Sequence, residues 1–247
     1  MRHATDMPEQ AGGVALAGVS FIRNERRIID DLTLRLDERR IGLVGRNGSG
    51  KSTLARLIAG LIAADSGDVR VGGVDVARDR KAAIRIVGIL FQNPDHQIIF
   101  PTVAEEIAFG LGQLGEDKAG ARSGALEMLS RFGCTDWADR PVHVLSQGQR
   151  HLVCLMAVLA MQPGLIVLDE PLSGLDIPTT RALTAYLDRL DQQIIHITHD
   201  PATLAGYSRI LWLDQGKIAL DGAPDQVLPA YVAAMEGGHD DLADLAG

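Results

Sequence analysis

The chain has 247 residues, of which 46% are hydrophobic and 23% charged, and its formal net charge is -8 at pH 7. This length is enough for one large α/β domain with a substantial core. A negative net charge does not suit a phosphate backbone, so we expect no nucleic acid partner. The two cysteines, Cys134 and Cys154, fit no metal-ligand spacing and are predicted to be packing residues in a reducing compartment.

The first predicted elements are a tail and several strands. Residues 1–12 are expected to form a flexible tail. Leucines at 32, 34 and 36 alternate with polar residues, as in a half-buried strand. Valines on both sides of Gly72-Gly73 predict a hairpin over 69–76, and a further apolar strand is expected over 84–91. These segments indicate an antiparallel sheet beside the segment that follows residue 44.

That segment, residues 45–53, has the most specific pattern in the chain: a glycine, four residues, and then Gly-Lys-Ser. Backbone N–H groups in such a loop turn inward around an anion, the lysine adds a cation, and the hydroxyl completes a Mg²⁺ shell. An apolar strand over 40–44 precedes the loop, and helical spacing follows it, so phosphates would lie on a helix N-terminus. The predicted nucleotide-binding residues of the loop are Gly45, Asn47, Gly48, Ser49, Gly50, Lys51, Ser52 and Thr53.

The middle of the chain is predicted to be helical. A capping-box pattern, Thr-x-x-Glu, begins a helix at 102–105, and 118–132 has the spacing of a second amphipathic helix. Strand signals are scarce in this stretch. We therefore expect residues 93–159 to form a helical subdomain inserted into a core made of 13–92 and 160–222.

A second capping pattern, Leu-Ser-Gln-Gly-Gln at 145–149, begins the apolar helix predicted over 147–162. A helix start with a small hydroxyl and a glycine is also an anion site. The pattern alone indicates only a well-capped helix. However, a chain with one phosphate loop does not need a second anion site for the same nucleotide. We therefore expect two copies to pair head to tail, each completing the ATP site of the other.

The strand predicted over 165–168 ends in two carboxylates, Asp169 and Glu170. Neighbours on a strand point to opposite faces, but both can reach the crevice at the carboxyl ends of the strands. Asp169 suits a Mg²⁺ shell, and Glu170 suits orienting or deprotonating an attacking water. A strand-end acidic turn is the alternative, and the phosphate loop in the same chain favours the catalytic interpretation.

The remaining elements alternate between helix and strand, which predicts a mainly parallel sheet. They are a helix at 179–190, strands at 193–197 and 209–213, and a helix at 224–236. The last segment, 223–247, contains that helix and an acidic tail whose residues 239–241 are predicted to be disordered. The apolar stretch 152–168 is split by Pro163-Gly164, so a buried helix, turn and strand are expected there rather than a membrane span.

Together these motifs resemble the ATP-binding cassette (ABC) family. Six motifs occur in the family's order over about 20–222, and six in order are far more specific than one. They are Walker A at 45–53, the Q-loop glutamine Gln92, the signature at 145–149, Walker B at 165–170, the D-loop at 173–176 and the switch histidine His199. The resemblance implies a P-loop NTPase (RecA-like) α/β core with an antiparallel β subdomain and an inserted helical subdomain.

The resemblance also implies ATP and Mg²⁺ as cofactors, and a role for each motif residue. Lys51 would contact the β and γ phosphates. Ser52 and Gln92 would ligate Mg²⁺, with Asp169 holding it through water. Glu170 would polarise the attacking water. The implied catalytic group is Glu170, His199, Gln92 and Lys51. The trans group, expected to reach the nucleotide of the opposite protomer, is Ser146, Gly148, Gln149 and Asp176.

Two positions depart from the family's pattern. Gln147 replaces the usual first glycine of the signature, while Gly148 is kept, so we expect function to be retained. Where the family stacks an aromatic ring on adenine, this chain has Arg23. An arginine plane can stack on a base, so Arg23 is expected to bind the nucleotide, with Phe21 as the alternative.

Residues 91–103 resemble the Q-loop region of energy-coupling-factor (ECF) importers, in which Gln-(Asn/Asp)-Pro-Asp-x-Gln precedes a Phe and a Thr-Val. This implies a groove beside 92–110 that receives a helix of a transmembrane coupling subunit, which works with a membrane substrate-binding subunit. The chain would then be peripheral, at the cytoplasmic face of the membrane. Glu105 and Glu106 either pair with basic residues on that helix or form a solvated acidic helix start.

The expected cargo also rests on resemblance. The short C-terminus, the run at 93–97 and the stretch 145–156 are similar to ATPases of biotin uptake, with cobalt or nickel uptake as the alternative. A soluble ABC ATPase of an assembly machine, as for iron–sulfur clusters, is a further alternative, against which 91–103 favours the importer. A DNA-repair or chromosome ATPase would need a long coiled-coil insertion, and the stretch between Lys51 and Ser146 has no sustained heptads.

Overall fold

Two β-sheets and seven α-helices form the computed structural model, which describes residues 13–236. The predicted tail 1–12 and the acidic residues 239–241 lie outside the described residues. The strands are β1 (Val14–Arg23), β2 (Arg26–Leu36), β3 (Arg40–Val44), β4 (Ser66–Val71), β5 (Val74–Asp75), β6 (Val87–Leu90), β7 (Leu165–Asp169), β8 (Gln193–Ile197), β9 (Arg209–Asp214) and β10 (Lys217–Gly222). The helices are α1 (Lys51–Ile58), α2 (Arg80–Ile86), α3 (Val103–Leu114), α4 (Lys118–Arg131), α5 (Gln147–Ala160), α6 (Ile177–Arg189) and α7 (Pro224–Glu236).

The larger sheet has six strands in the order β10-β9-β3-β8-β7-β6. All neighbouring pairs are parallel except β9 and β10, which form the hairpin at the edge. Every residue of β3 and β7 is buried, as expected for strands covered on both faces. The prediction of a mainly parallel sheet is confirmed. Because β3, β8 and β7 are neighbouring parallel strands, the segments that follow them leave the sheet side by side at the carboxyl ends of the strands.

The smaller sheet is antiparallel, in the order β2-β1-β4-β5, and its Gly72-Gly73 hairpin is confirmed. Its apolar side shares one core with α1 and one face of the larger sheet, where Leu16, Leu57 and Val167 belong to the same buried cluster. Alternate residues of β7, such as Ile166, face a second cluster instead. Helix α1 is therefore held between the two sheets.

The second cluster joins α3, α4 and α5 to the other face of the sheet, through residues such as Ile107, Leu155 and Ile166. Within the part of the chain that the structure describes, no strand lies between β6 and β7, although Thr102 and Pro141 form an isolated bridge. The predicted fold class is confirmed, and the division at 93–159 stays a prediction.

Both cysteines are buried and free within the described residues, and burial raises the pKa of Cys154 to about 12. The apolar stretch 152–168 consists of the end of α5, a turn and β7, as predicted. Of the helices between residues 13 and 236, none combines the length and the apolar character needed to cross a membrane.

Two local predictions were wrong. The strand expected over 84–91 begins only at Val87, because α2 occupies the preceding residues and the Asp79 carboxylate accepts from the Ala82 N–H at its start. Helix α3 begins where the pattern at 102–105 placed it, but the Thr102 hydroxyl donates to the Glu105 carboxylate at 2.6 Å instead of capping the helix.

Candidate nucleotide-binding site

The phosphate loop follows β3 and continues into α1. A Cβ atom at Gly45 would lie 2.2 Å from the Leu213 carbonyl oxygen, and one at Gly50 would lie 2.8 Å from the Ile28 carbonyl oxygen. Both positions therefore require glycine. Helix α1 begins without a hydrogen bond from any side chain in the described structure, so its first N–H groups are available to an anion.

Lys51 lies over this loop and is largely buried. Its Nζ donates to the carbonyl oxygens of Gly45 at 2.7 Å and Arg46 at 2.9 Å. Burial lowers the pKa of Lys51, and the nearby carboxylates of Glu170 and Asp169 oppose that shift. The loop thus holds one partly desolvated cation close to two acids.

The two acids lie at the end of β7, and both are more than nine-tenths buried. Burial raises the pKa of Asp169, while a hydrogen bond from the Ser52 hydroxyl opposes the shift. Glu170 has a left-handed backbone with φ 54°, and its N–H donates to the Ile197 carbonyl at 2.9 Å. Its Oε2 lies 2.8 Å from Nδ1 of His199, which follows β8.

Lys51, Asp169 and Glu170 line one cavity of about 400 Å³, while His199 contacts Glu170 but is not part of the lining. The cavity is lined by Arg23, Ile28, Asn47, Gly48, Gly50, Lys51, Ser52, Thr53, Gln92, Asp169 and Glu170. Two other predicted residues, Gly45 and Ser49, are buried inside the loop itself, and among residues 13–236 the Ser49 hydroxyl has no hydrogen-bond partner. An unsatisfied buried hydroxyl and free helix N–H groups suit an oxygen-rich anion.

Part of the cavity wall comes from the β1–β2 hairpin. Arg23 lies there opposite Arg26, across a two-residue turn, and Ile28 contributes an apolar wall. Phe21 packs against the core shared by the two sheets instead. The sequence does not predict Ile28 as a site residue, because its place in the cavity depends on how the β1–β2 hairpin packs beside the phosphate loop.

The oxygen atoms of Ser52, Gln92 and Asp169 line the same cavity. A hydroxyl, an amide and a carboxylate are hard donors that suit Mg²⁺, and the Ser52–Asp169 hydrogen bond places two of them together. Over the described range 13–236, no group of three or more His, Cys, Asp and Glu residues could hold a metal ion. The residues therefore fit Mg²⁺ only if phosphate oxygens supply the remaining ligands.

The trans group does not join this cavity within one chain. Ser146 caps α5 by accepting from the Gln149 N–H at 3.2 Å, and the Gln149 side chain accepts from the Ser146 N–H at 2.9 Å, so the predicted capping box is confirmed. The Asp176 carboxylate caps α6 through the Thr179 N–H at 2.8 Å. None of the trans residues lines the cavity, so their role stays a prediction.

The signature and the D-loop lie against each other. A Cβ atom added to Gly174 would lie 3.6 Å from the side-chain amide of Gln147. A Cβ atom added to Gly148 would lie 3.0 Å from the side chain of Leu175. The residue that replaces the usual signature glycine therefore covers the D-loop of its own chain.

A protein-family model identifies the family to which this chain belongs. The sequence model described as "ABC transporter" matches residues 29–173, which is more than half of the chain. The chain belongs to the ABC transporter family. It is accordingly an ATP-binding protein and an ATP-hydrolysing enzyme, as the motifs predicted.

Its relatives include ATP-binding proteins named for biotin transport and for cobalt import. The biotin transport ATP-binding protein BioM of Rhodobacter capsulatus is 53% identical over 90% of this chain and 95% of its own length. The cobalt import ATP-binding protein CbiO of Syntrophus aciditrophicus is 39% identical over 84% of this chain and 76% of its own.

Two solved structures share the fold. One is the dimeric, post-hydrolysis ATP-binding cassette MJ0796 bound to ADP and Pi, with a TM-score of 0.77 and 24% identity over 85% of this chain and 98% of that one. The other is cbiO1 from Clostridium perfringens, described as part of the ABC transporter complex cbiONQ, with a TM-score of 0.73 and 24% identity over 96% and 98%.

Arg23 offers a direct test of the base-binding end of the cavity. Replacing Arg23 with alanine should raise the KM for ATP by about two- to ten-fold and leave kcat nearly unchanged, because a stacked guanidinium contributes roughly 0.5–1.4 kcal/mol. Arg23→Tyr should keep the wild-type KM. The matched control is Arg26→Ala, across the same hairpin and outside the cavity lining. Equal KM values for the two alanine variants would contradict the assignment.

Proposed function

We propose that this chain is the ATP-hydrolysing subunit of an ECF-type importer at the cytoplasmic face of the membrane, and that the cargo is biotin. One structural observation carries the importer proposal. Gln92 lies in the proposed ATP cavity, and shortly after it Asp95 and residues 98–101 line a surface groove of mixed polar and apolar character. A change at the nucleotide would therefore reach the groove through only a few residues of backbone.

The hydrolysis chemistry follows from the side chains. The loop N–H groups and Lys51 would hold the phosphates, and Mg²⁺ bound with ATP would reduce their charge. Glu170 would orient a water for attack on the γ-phosphorus and accept its proton, while His199 holds the carboxylate through the 2.8 Å contact. Such reactions depend mostly on positioning and charge stabilisation, which agrees with the buried, mutually opposed charges of the cavity.

We further propose that the trans group completes the site of a second copy. Ser146 is exposed at the start of α5, and Gln147 and Gly148 follow it in the first turn. A helix N-terminus is attracted to phosphate, and no phosphate-binding loop of the same chain lies beside it. The dimeric state described for MJ0796 supports this arrangement.

The dimer can be tested in a hydrolysis-deficient background. Glu170→Gln should abolish turnover and trap an ATP-bound dimer, which size-exclusion chromatography with ATP would detect. Adding Ser146→Arg should return the protein to monomer, because a bulky cation would occupy the helix N-terminus that must meet phosphate. The control is Ser130→Arg, at an exposed serine on α4. Normal ATP hydrolysis by Glu170→Gln would remove Glu170 from its role, and dimers unaffected by Ser146→Arg would refute the trans assignment.

This groove is the surface proposed for the transmembrane coupling subunit. It is lined by Asp95, Ile98, Ile99, Phe100, Pro101, Val142, His143 and Arg150. Ile99 is 66% exposed, and Val144 beside the lining is 62% exposed. Exposed apolar side chains that line a groove, as Ile99 does, are typical of a binding surface.

Glu106 holds the backbone of two residues that line this groove. Its carboxylate is buried and accepts from the N–H groups of Ile99 and Phe100, both at 2.9 Å. The expectation that Glu106 pairs with a basic residue of the partner is therefore wrong, and so is a solvated position for it. Glu105 is exposed and accepts from the Thr102 hydroxyl, so it alone remains available to a partner.

The groove is also tied to the signature helix. Nε of Arg150 lies 3.1 Å from the Asp95 carboxylate, and its Nη1 donates to the Leu145 carbonyl at 2.7 Å. On the other side, the Gln97 side chain accepts from the Phe91 N–H at 3.2 Å. A helix seated in the groove would thus touch residues connected to both the Q-loop and the signature.

A single charge in the groove should separate partner binding from catalysis. Ile99→Asp is expected to prevent co-purification of membrane subunits and to leave the ATPase activity of the isolated chain unchanged, because a carboxylate in an apolar contact is costly to desolvate. The control is Ile84→Asp, at an isoleucine of α2 that is 45% exposed. Tagged protein from the source membrane is analysed by mass spectrometry. Retention of the same membrane subunits by Ile99→Asp would exclude this groove as the docking site.

Cargo is proposed from the relatives and from residues 91–103, and cobalt or nickel uptake is the competing proposal. In cells that lack this chain, uptake of labelled biotin should fall at least ten-fold, should recover with the wild-type gene, and should not recover with Glu170→Gln. Loss of cobalt or nickel uptake with normal biotin uptake would favour the metal importer. Co-purification with soluble scaffold proteins alone would favour the assembly-machine alternative.

A further inference from the structure

The C-terminal helix α7 packs against the start of the phosphate loop. A third buried cluster contains Val44, Leu204, Ile210, Val227 and Tyr231. Val44 is the last residue of β3 and is followed directly by Gly45, while Val227 and Tyr231 lie on α7. The element that ends the described chain therefore supports the segment from which the phosphate loop begins.

Two polar contacts extend this support into the loop. Nη2 of Arg46 donates to the carbonyl oxygen of Ala234 in α7 at 3.2 Å. The Tyr231 hydroxyl accepts a hydrogen bond from the backbone N–H of Gly45; burial raises the pKa of Tyr231, and this bond opposes the rise. The Tyr231 ring is 5% exposed and meets Trp212 edge to face at 5.7 Å, so its hydroxyl is held in place.

Gly45 is therefore fixed from both sides. Its N–H faces Tyr231, and its carbonyl oxygen accepts from Lys51 at 2.7 Å. The peptide planes of this residue set the direction of the loop that follows. A shift of Gly45 would move both the loop N–H groups and the carbonyl that positions the Lys51 cation.

We propose that Tyr231 is a positioning residue for nucleotide binding, which acts from α7 by holding Gly45 and through it the phosphate loop. The proposal rests on the assignment of residues 45–53 as the phosphate-binding loop. It requires no contact between Tyr231 and the nucleotide. The free energy of binding improves because the loop is ordered before phosphate arrives.

The chain offers a matched pair of tyrosines for the test. Tyr207 borders the same cluster, and its hydroxyl hydrogen-bonds Nδ1 of His196 at 2.8 Å, away from the loop. Tyr231→Phe and Tyr207→Phe each remove one hydroxyl and one hydrogen bond. Both should lower the nucleotide-free melting temperature to a similar degree. Only Tyr231→Phe should weaken ADP binding with Mg²⁺, by about three- to ten-fold in calorimetry, the range of one hydrogen bond.

Two further variants make the result decisive. Lys51→Ala serves as the reference for the loop itself: if it binds ADP normally, the assignment of 45–53 fails, whatever the tyrosines do. If Lys51→Ala loses binding while Tyr231→Phe binds like Tyr207→Phe, only the role of Tyr231 is refuted. Arg46→Ala removes the second contact to α7 and should weaken ADP binding by a smaller factor. Should Tyr231→Phe fail to fold, unchanged affinity in Arg46→Ala overturns the proposal.

Discussion

The site depends on three neighbouring parallel strands whose carboxyl ends lie side by side. β3 leads to the phosphate loop, β7 leads to Asp169 and Glu170, and β8, between them, leads to His199. The backbone groups of these strands are paired along their length, so the strand ends are fixed relative to each other. Residues that are distant in the chain are thereby held within a few ångströms.

The second constraint is electrostatic. One lysine and two carboxylates are largely buried around the same cavity, and burying any one of them alone would be costly. The acids oppose the fall that burial causes in the Lys51 pKa. Burial also raises the pKa of Asp169 and Glu170 adds to that rise, while the Ser52 hydroxyl and Lys51 oppose it.

Much of this could be predicted from sequence, because the decisive patterns are local. The spacing of glycines and Lys51 defines a loop, and the carboxylates follow a run of apolar residues in a buried strand. The capping box at Ser146 is likewise local. Each of these features requires only residues that are adjacent in the chain, so the correct interpretation does not depend on the rest of the fold.

The failed prediction at Glu106 and the residues that were missed depend on tertiary contacts. Glu106 has the sequence context of an exposed helix start, but two N–H groups of a preceding loop satisfy it in a buried position. Ile28 belongs to the β1–β2 hairpin and Tyr231 belongs to helix α7. Both reach the site only because these elements pack beside it. The role proposed for the trans group would involve a second chain, so single-chain geometry does not test it.

The backbone of Glu170 has the left-handed conformation. A residue with a side chain in the left-handed region is strained by about 1 kcal/mol, whereas glycine or asparagine would occupy the same position at lower cost. Packing elsewhere must offset that strain in every folded molecule. Glutamate at this strained turn nevertheless places a carboxylate at the cavity, 2.8 Å from His199, which neither glycine nor asparagine could supply.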